Sequence, residues 1–326
     1  MTATVTLANQ KSFKAPPGVS LLDAAAAAGL ALPHSCRSGR CSSCKTRVLR
    51  GQVLPLRTDT VLSAEERAAG WSLSCIDAAA PDCELQLDLE DQAELAGLRS
   101  LTLPARVERL ERRADLLILS LRLPLQPRLA YLPGQYLDLI APGGLRRSYS
   151  IANAPRADGR IELHIRRVAG GAMSEFLFDQ LQPEQLLHLQ GPRGSFHLRQ
   201  VEGRPLLLLA TGTGIAPIKA MLEGMTQRPS RTLLIWGNRR SDDIYWQPPA
   251  GVEFWPVCSR EAGAARTGHL QQHLPDGDLS AWTVRACGNP AMLDAARALL
   301  LARGLPEREF HADAFVASGQ DKGEEA

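Results

Sequence analysis

Residues 36–44 read CRSGRCSSC, and this stretch indicates the chemistry and fold class of the first part of the chain. It places Cys36, Cys41 and Cys44 in one short loop, and a fourth cysteine, Cys75, follows later. The C-x4-C-x2-C…C spacing is the one with which four thiolates ligate a two-iron, two-sulfur cluster. The stretch therefore predicts an electron-transfer site in which these four cysteines are the metal ligands.

Other uses of the four cysteines fit the spacing less well. A structural zinc site usually shows two C-x2-C pairs, whereas only Cys41 and Cys44 form such a pair here. A Rieske cluster needs two histidine ligands, and no Cys-x-His sequence occurs. Disulfides are not expected, because the sequence opens without the basic and apolar regions of a secretory signal. The spacing favours a plant-type 2Fe–2S cluster.

Basic residues on or just after this loop allow two interpretations. They form either a docking surface for an acidic electron acceptor or an ordinary solvated surface. The residues are Arg37, Arg40, Lys45, Arg47 and Arg50.

Bulk properties bound the class of protein. The chain has 326 residues, enough for two or three domains, and its formal net charge of +2 gives no reason to expect nucleic acid or a membrane as partner. Residues 21–32 are apolar but too short to span a bilayer. Cys83, Cys258 and Cys287 lie outside the motif, which suits a reducing compartment. We expect a cytoplasmic protein that is a monomer on its own.

The composition divides the chain into three blocks, with joints near residues 92–103 and 199–205. The first block mixes alternating strands with a helix, which predicts a small α+β unit. Capping boxes are expected where Ser20 precedes Asp23 and where Ser63 precedes Glu66. The expected elements are strands at 2–7, 45–53 and 83–89 and a helix at 21–28.

The second and third blocks differ in their periodicity. The second has several short strands with turn signals between them, which predicts an antiparallel barrel. Its strands are expected at 105–110, 116–123, 136–140, 161–168 and 186–190. The third alternates buried strands with helices, which predicts an α/β parallel sheet with its ligand at the carboxyl ends of the strands. Its elements are expected at 206–210, 215–225, 232–236, 252–258, 269–273, 284–287 and 291–302.

Two motifs stand out in the barrel block. Residues 146–153, RRSYSIAN, set a cation, an aromatic ring and a hydroxyl along one strand, where one cofactor could meet a phosphate-binding arginine and a stacking tyrosine. Residues 164–168, HIRRV, lead into 170–174, GGAMS, where glycines precede a helix with Ser174 as candidate N-cap. An ordinary glycine-rich turn is the alternative.

Two further motifs follow strands of the α/β block. Residues 211–217, TGTGIAP, join a buried strand to a helix, an order that brings backbone close to a pyrophosphate at the helix N-terminus. Pro217 stands where the full dinucleotide fingerprint has its third glycine, and proline is acceptable in a first helical turn. Residues 287–290, CGNP, repeat the strand–turn–helix order and should face the same crevice.

With these motifs in this order, the chain resembles the oxygenase-reductase branch of the ferredoxin–NAD(P)H reductase superfamily over essentially its whole length. The resemblance implies a β-grasp ferredoxin domain at 1–97, an FAD-binding antiparallel β-barrel at 98–201 and an NAD(P)-binding α/β parallel-sheet domain at 202–326. FAD is implied by the domain order, with the cluster first. The ending 311–315, HADAF, looks like that of reductases for terephthalate-type dioxygenases and deoxysugar-forming enzymes.

The resemblance also implies roles for individual residues. Arg147 would bind the flavin diphosphate, Tyr149 would stack on the flavin ring, and Ser150 would approach its hydride-accepting nitrogen. The rest of the flavin cradle would be His164, Arg166, Val168, Gly171, Ala172, Met173 and Ser174. The dinucleotide and its nicotinamide ring would lie against Gly212, Thr213, Gly214, Pro217, Cys287 and Gly288. Phe315 would shield the flavin until nicotinamide displaces it, so the implied catalytic positions are Tyr149, Ser150, Cys287 and Phe315.

Two features need comment beside the family pattern: the residue after Cys41 and the stretch that bears on the choice between NADPH and NADH. Ser42 stands where members commonly have glycine after the second cluster cysteine, which could shift the cluster potential. Residues 237–240, GNRR, carry no acid at a strand end to hold a ribose diol. Two interpretations remain for the polar residues on these loops. They could bind a 2′-phosphate, which would favour NADPH over NADH, or they could be ordinary exposed loop residues. The residues are Arg239, Arg240, Ser259 and Arg260.

The resemblance implies that electrons pass from nicotinamide to flavin, then to the cluster, and singly to an iron-containing terminal oxygenase. An aromatic-ring dioxygenase is the expected partner. The alternatives are a reductase for a deoxysugar-forming iron–sulfur dehydratase and, in another class, a flavin and iron–sulfur redox sensor or carrier. A self-contained oxygenase is disfavoured, because the seven histidines include no evident pair with a carboxylate at metal-ligand spacing.

Overall fold

The computed structural model describes residues 2–59, 61–87, 95 and 98–315. The chain forms two compact units, Met1–Leu98 and Arg99–Ala326. Each unit has its own buried apolar core.

The first unit is a mixed β-sheet with a helix that shares its core. Its strands are β1 (Ala3–Leu7), β2 (Ser12–Ala15), β3 (Lys45–Arg50), β4 (Val53–Pro55), β5 (Trp71–Leu73), β6 (Asp77–Ala79) and β7 (Cys83–Gln86), and its helices are α1 (Leu21–Ala27) and α2 (Ala64–Ala68). The main sheet has the order β2-β1-β7-β3-β5, with β1 and β7 parallel and the other neighbours antiparallel. Leu21 and Leu22 of α1 are buried against it. The predicted α+β β-grasp unit is confirmed.

Gly51 divides the predicted strand 45–53 into β3 and β4. Its φ is +81°, and a Cβ atom there would lie 2.2 Å from the carbonyl oxygen of Asp82, so only glycine fits this turn. The strand predicted at 83–89 ends at Gln86, and residues 88–89 lie outside the described residues.

The two expected helix caps differ in completeness. Ser63 and Glu66 form the full capping box, in which each side chain accepts from the other's backbone N–H. At Ser20 the cap is one-sided: its Oγ accepts from Asp23 N at 3.1 Å, while the Asp23 carboxylate accepts from the Ser20 hydroxyl at 2.7 Å. The shorter aspartate side chain thus bonds to the hydroxyl and not to the capping residue's backbone.

The second unit begins with an antiparallel barrel. Its strands are β8 (Leu101–Arg113), β9 (Leu116–Arg122), β10 (Tyr136–Ile140), β11 (Arg146–Ser150), β12 (Arg160–Arg166) and β13 (Leu186–Arg193). They follow the order β11-β10-β13-β8-β9-β12, with every pair antiparallel. A bridge between Ile151 and Leu163 brings the two edge strands together. The predicted antiparallel β-barrel is confirmed.

The helix after the barrel's glycine motif starts earlier than predicted. Helix α3 (Ala172–Glu175) has Gly171 as its N-cap residue, so Ser174 lies inside the helix and its prediction as N-cap is wrong. The Ser174 Oγ instead accepts from Val168 N at 2.9 Å. The hydroxyl therefore closes the loop before the helix and does not cap the helix itself.

The rest of the second unit is a parallel sheet with helices. Its strands are β14 (Pro205–Thr211), β15 (Arg231–Asn238), β16 (Glu253–Cys258), β17 (Thr283–Gly288) and β18 (Phe310–Ala314), and its helices are α4 (Ile215–Gly224) and α5 (Pro290–Ala302). The sheet order is β16-β15-β14-β17-β18, parallel throughout. The predicted α/β parallel sheet is confirmed. In this order the loops after β14 and β17 lie side by side.

Two details of this sheet were not predicted. The element expected at 269–273 is a single 3-10 turn at Leu270–His273. The ending HADAF is mostly strand β18, which pairs with β17 and places Ala314 opposite Gly288. Within the described residues, no helix combines the length and apolar character that crossing a bilayer requires.

Candidate functional site

The four cysteines of the predicted cluster site lie in the first unit as two pairs. Cys44 Sγ and Cys75 Sγ are 3.2 Å apart, and Cys36 and Cys41 share a side-chain hydrogen bond. In the part of the chain that the structure describes, no three His, Cys, Asp or Glu side chains surround a single metal ion site. Two thiol pairs fit a cluster of two irons better than a zinc site, in which four ligands converge on one ion.

Hydrogen bonding within each pair favours one thiolate. The bond with Cys41 lowers the pKa of the Cys36 thiol to about 5, although burial acts in the opposite direction. The bond with Cys44 likewise lowers the pKa of Cys75. Because the thiolate is the form that binds metal, the lowered pKa of one thiol in each pair favours ligation.

The loop backbone wraps around the first sulfur. The amides of Ser38 and Arg40 both donate to Cys36 Sγ at 3.4 Å. Between them Gly39 has φ of +71°, and a Cβ atom there would lie 2.7 Å from a neighbouring side chain. Ser42 also has a positive φ, +60°. This left-handed backbone gives a physical reason for the glycine that family members commonly carry at the Ser42 position.

Most basic residues near the loop are engaged within their own unit. Arg37 forms an ion pair with Asp23, and Lys45 forms one with Glu66. Among the described residues, no acidic side chain pairs with Arg40. If the loop docks an acidic partner, Arg40 is the arginine of CRSGRCSSC that is available to contact it.

Strand β11 carries the residues expected to meet the flavin. Tyr149 packs against the barrel core, and burial raises the pKa of its hydroxyl. Ser150 is buried at the end of the strand. The Arg147 guanidinium is partly exposed and donates to the Arg146 carbonyl at 2.7 Å, so it can turn toward a phosphate at small cost.

The next strand, β12, places its two candidate residues differently. Both ring nitrogens of His164 are engaged, Nδ1 with the Tyr245 hydroxyl at 3.0 Å and Nε2 with Glu162 Oε1 at 2.9 Å. Its side chain therefore has no nitrogen left for a flavin. Arg166 donates to Asp115 at 2.6 Å, but its Nε is buried without a partner among the described residues.

The loop after β12 is accessible in part. Val168 is exposed, whereas Met173 and Ser174 are buried. Gly171 and Ala172 form the entry to α3. The free Arg166 Nε and this accessible loop are a donor set that suits a flavin nucleotide, so the residues present fit the group.

A cavity of about 640 Å³ lies at the carboxyl ends of the parallel strands, where such sheets bind ligands. It is lined by residues from the barrel, the strand ends and the last described residue. They include Arg166, Gly212, Thr213, Arg239, Ser259, Gly288 and Phe315. The Phe315 amide donates to the Gly288 carbonyl at 2.8 Å, which fixes Phe315 at the rim. The volume of the cavity lies in the range of small-molecule and cofactor sites.

The loops after β14 and β17 touch at two glycines. A Cβ atom at Gly214 would lie 2.3 Å from the Cys287 carbonyl oxygen. One at Gly288 would lie 2.0 Å from Thr211 Oγ1. Thr211 Oγ1 also accepts from Asn289 N at 3.1 Å. Both glycines therefore allow the two loops to pack together and form one cavity edge.

Several expected residues do not line the cavity. Pro217 is buried within α4, and the Cys287 side chain is buried in the core, where burial raises its pKa well above the ordinary value. Arg240 and Arg260 are exposed on the loops beside it. The residues predicted to bind the nicotinamide dinucleotide thus fall into two groups: those that line the cavity and those that lie in or beside the loops around it.

Sequence reasoning overlooked two buried polar residues of the second unit, one at the cavity and one beside it. Asn238, at the end of β15, borders the cavity and is buried, with no partner for its amide among the described residues. Lys219 is buried on α4. The only sequence signal for Lys219 is a cation within an otherwise apolar helical segment, IAPIKAML.

Comparisons with known proteins agree with this architecture. Family models match in three places: a 2Fe-2S iron-sulfur cluster binding domain at residues 5–79, an oxidoreductase FAD-binding domain at 107–198 and an oxidoreductase NAD-binding domain at 208–298. The expected cofactors, a 2Fe–2S cluster, FAD and a nicotinamide dinucleotide, are thereby confirmed.

Full-length relatives are also found. The chain is 38% identical to a CDP-6-deoxy-L-threo-D-glycero-4-hexulose-3-dehydrase reductase of Yersinia pestis, over 92% of this chain and 94% of the relative. It is 32% identical to reductase component 1 of terephthalate 1,2-dioxygenase from Comamonas sp, over 94% and 95%. The crystal structure of the Amycolatopsis cytochrome P450 reductase GcoB matches with a TM-score of 0.75 and 33% identity, covering 96% of this chain and 99% of that one.

These matches extend over nearly the whole chain and include all three cofactor domains. The fold, the paired cysteines and the cavity at the strand ends agree with them. The chain belongs to the ferredoxin–NAD(P)H reductase superfamily and is an NAD(P)H-dependent iron–sulfur flavoprotein oxidoreductase.

Proposed function

We propose that this protein is the reductase component of a multicomponent oxygenase, with an aromatic-ring dioxygenase as its partner. The observation that carries the proposal is the four-cysteine cluster site in one chain with a flavin barrel and a nicotinamide sheet. An oxygenase iron centre takes electrons singly, whereas NAD(P)H gives a hydride. The flavin and cluster together supply the conversion from two electrons to one.

The residues serve this conversion by binding and orientation. Arg147 would hold the flavin diphosphate, Tyr149 would stack on the ring, and Ser150 would lie beside its hydride-accepting nitrogen. Phe315, at the cavity rim, would cover the flavin face and give way to nicotinamide. We place the domain boundaries after residues 97 and 201, and the protein acts as a monomer before it meets its partner.

The nucleotide residues at the cavity favour NADPH. Arg239 and Ser259 both line it, and β15 ends at Asn238 without an acid to hold a ribose diol, while Asp243, which also lines the cavity, lies 3.7 Å from the Arg166 guanidinium. Arg240 and Arg260 are exposed nearby and add positive charge. Arg239 and Ser259 are therefore the main residues that bind the 2′-phosphate.

Electron exit to the partner occurs at the cluster loop. Arg40 is the available cation there, and Arg37 is bound to Asp23. An acidic surface on the oxygenase would complement Arg40 at the loop that carries the ligands. Arg40→Glu should slow reduction of the partner and leave NADPH oxidation with ferricyanide unchanged, because the small acceptor needs no docking.

Reconstitution with a partner tests the proposal. The loaded protein is mixed with NADPH and a purified aromatic-ring dioxygenase, and product formation is measured against a mixture that contains an iron–sulfur deoxysugar dehydratase in place of the dioxygenase. We expect turnover with the dioxygenase. Turnover with the dehydratase alone would establish the second candidate, which the 38% identical relative favours. Failure of the protein to oxidise either nicotinamide would favour a redox sensor or carrier.

A further inference from the structure

Lys219 is a buried cation whose surroundings match its chemistry. It lies on α4 and is 7% exposed. Its Nζ is 3.0 Å from the Ala152 carbonyl oxygen, 3.1 Å from Glu162 Oε1 and 2.5 Å from Glu223 Oε1. An ammonium group has three N–H donors, and here three acceptors surround it. Because burying an incompletely paired charge is costly, this arrangement fixes α4 against the barrel residues that supply two of the acceptors.

Glu162 links Lys219, through His164, to Tyr245 in the segment that follows β15. Burial raises the pKa of Glu162, but the hydrogen bond from His164 and the charge of Lys219 lower it to about 2. Burial lowers the pKa of His164, so the ring is neutral, with Nε2–H donating to Glu162 and Nδ1 accepting from the Tyr245 hydroxyl. Tyr245 follows β15, so this bond also joins the barrel to the sheet.

The Tyr245 ring also contacts a residue that is hydrogen-bonded to the dinucleotide loop. Its ring packs edge-on against Trp236, with centroids 5.2 Å apart and planes at 86°. Trp236 is fully buried, and its Nε1 donates to the Gly212 carbonyl at 2.9 Å. Gly212 is the first glycine of the loop TGTGIAP. A continuous set of contacts therefore joins this glycine to strand β12.

The opposite end of the same loop is held through α4. This helix begins at Ile215, within the stretch TGTGIAP and directly after Gly214, and carries Lys219 about one turn later. Lys219 bonds to the carbonyl of Ala152, two residues beyond Ser150. Glu223, one further turn along, accepts from Ala154 N at 3.2 Å. Helix α4 is thus hydrogen-bonded to the backbone directly after Ser150, the residue proposed to contact the flavin.

We infer that Glu162, His164, Lys219 and Tyr245 form a positioning clasp that sets the distance over which hydride passes from nicotinamide to flavin. The clasp holds the dinucleotide loop from both ends against the strands of the flavin barrel. It rests on the proposed placement of the flavin beside Ser150 and concerns the step before any partner protein. His164 accordingly acts on hydride transfer through the clasp, and its side chain is not a flavin ligand.

A positioning role differs from simple stabilisation in what it predicts. Replacing a buried ion pair with apolar residues is often neutral for stability, so stability alone is a weak reason for Lys219 to be charged. Reaction rates, in contrast, respond to displacements of about 1 Å by about 100-fold. Replacing Lys219 alone leaves Glu162 and Glu223 without their cation and also costs stability, so the discriminating readout is the rate of hydride transfer in variants that fold and retain FAD.

Lys219→Met and Tyr245→Phe in the FAD-loaded chain test this inference. Tyr245→Phe keeps the aromatic packing on Trp236 and removes only the hydroxyl bond to His164. Anaerobic stopped-flow absorbance measures flavin reduction by NADPH and by its 4-deuterated form. We expect reduction to slow about 10- to 100-fold in Lys219→Met and about 3- to 10-fold in Tyr245→Phe, with half-saturating NADPH changed less than about 3-fold and a changed isotope effect.

The matched control is Arg231→Met, which removes an exposed ion pair with Glu253 in the same sheet. It should leave reduction at the wild-type rate. Amide hydrogen exchange without nicotinamide provides an independent measurement: exchange at Ala154 and Gly214 should be faster in Lys219→Met than in Arg231→Met.

The outcomes separate the inference from the proposed function. Wild-type reduction rates and isotope effects in both folded variants would overturn the clasp. If Lys219→Met does not retain FAD, Tyr245→Phe decides alone: slowed reduction supports the clasp and an unchanged rate overturns it. Failure of the wild-type protein to reduce its flavin with either nicotinamide would overturn the proposed function instead.

Discussion

Replacing Gly214 with alanine is expected to displace the dinucleotide loop. The backbone there is helical, with φ −60° and ψ −10°, a conformation that alanine adopts readily. The new cost is therefore steric. The added Cβ atom would lie 2.3 Å from the Cys287 carbonyl oxygen, where an ordinary contact starts at 3.4 Å. The loop after β14 and the end of β17 must separate by about 1 Å to admit it.

The size of the effect follows from this displacement. A shift of about 1 Å lowers the rate about 100-fold, which equals about 2.7 kcal/mol of transition-state stabilisation. We expect kcat/KM for NADPH with ferricyanide as acceptor to fall by that factor, and overpacking to destabilise the fold by about 1–3 kcal/mol.

Steady-state kinetics and thermal unfolding of the loaded protein check these values. Gly251→Ala is the control: its φ of +90° makes alanine unfavourable, but no atom lies within 4 Å of the added Cβ. It should lose stability and keep kcat/KM. A Gly214→Ala protein with kcat/KM within about 3-fold of wild type would refute the reasoning that this glycine permits the loop packing.

Three further predictions concern other parts of the molecule. Arg239→Ala should lower kcat/KM for NADPH about 10-fold or more and leave NADH nearly unaffected, and an unchanged preference would remove Arg239 from the phosphate site. Ser42→Gly should stabilise the chain to thermal unfolding by about 0.5–1 kcal/mol, because φ of +60° is unfavourable for serine; no gain would mean that the loop is unstrained there. Glu162, with its lowered pKa of about 2, contributes stability that is present above about pH 5 and lost as pH falls toward 2. Glu162→Gln should therefore weaken the pH dependence of the free energy of unfolding over that window, and an identical profile would contradict the assigned pKa.

Features encoded by local spacing could be predicted from the sequence. The four cysteines occupy positions fixed by the cluster they bind, so their spacing indicated the chemistry directly. Alternation and turn residues indicated the barrel, and buried strands between helices indicated the parallel sheet. Each of these signals depends on neighbouring residues in the chain.

Features that depend on distant contacts could not be predicted in this way. Nothing in the local sequence shows that Cys287 turns into the core while its neighbour Gly288 lines the cavity. The contacts of Lys219 with Ala152 and Glu162 join residues far apart in sequence. The ending at β18 has short alanines between polar residues, and only pairing with β17 makes it a strand.

Anaerobic reduction of wild-type and Cys75→Ser proteins by NADPH tests whether electrons leave through the cluster, with Cys83→Ser as a buried-thiol control in the same unit. Flavin absorbance and the reduction of a cytochrome acceptor are recorded together. We expect that Cys75→Ser reduces its flavin at the wild-type rate but loses reduction of the cytochrome, whereas Cys83→Ser retains both. Reduction of the cytochrome by Cys75→Ser at the wild-type rate would contradict the claim that electrons leave through the cluster.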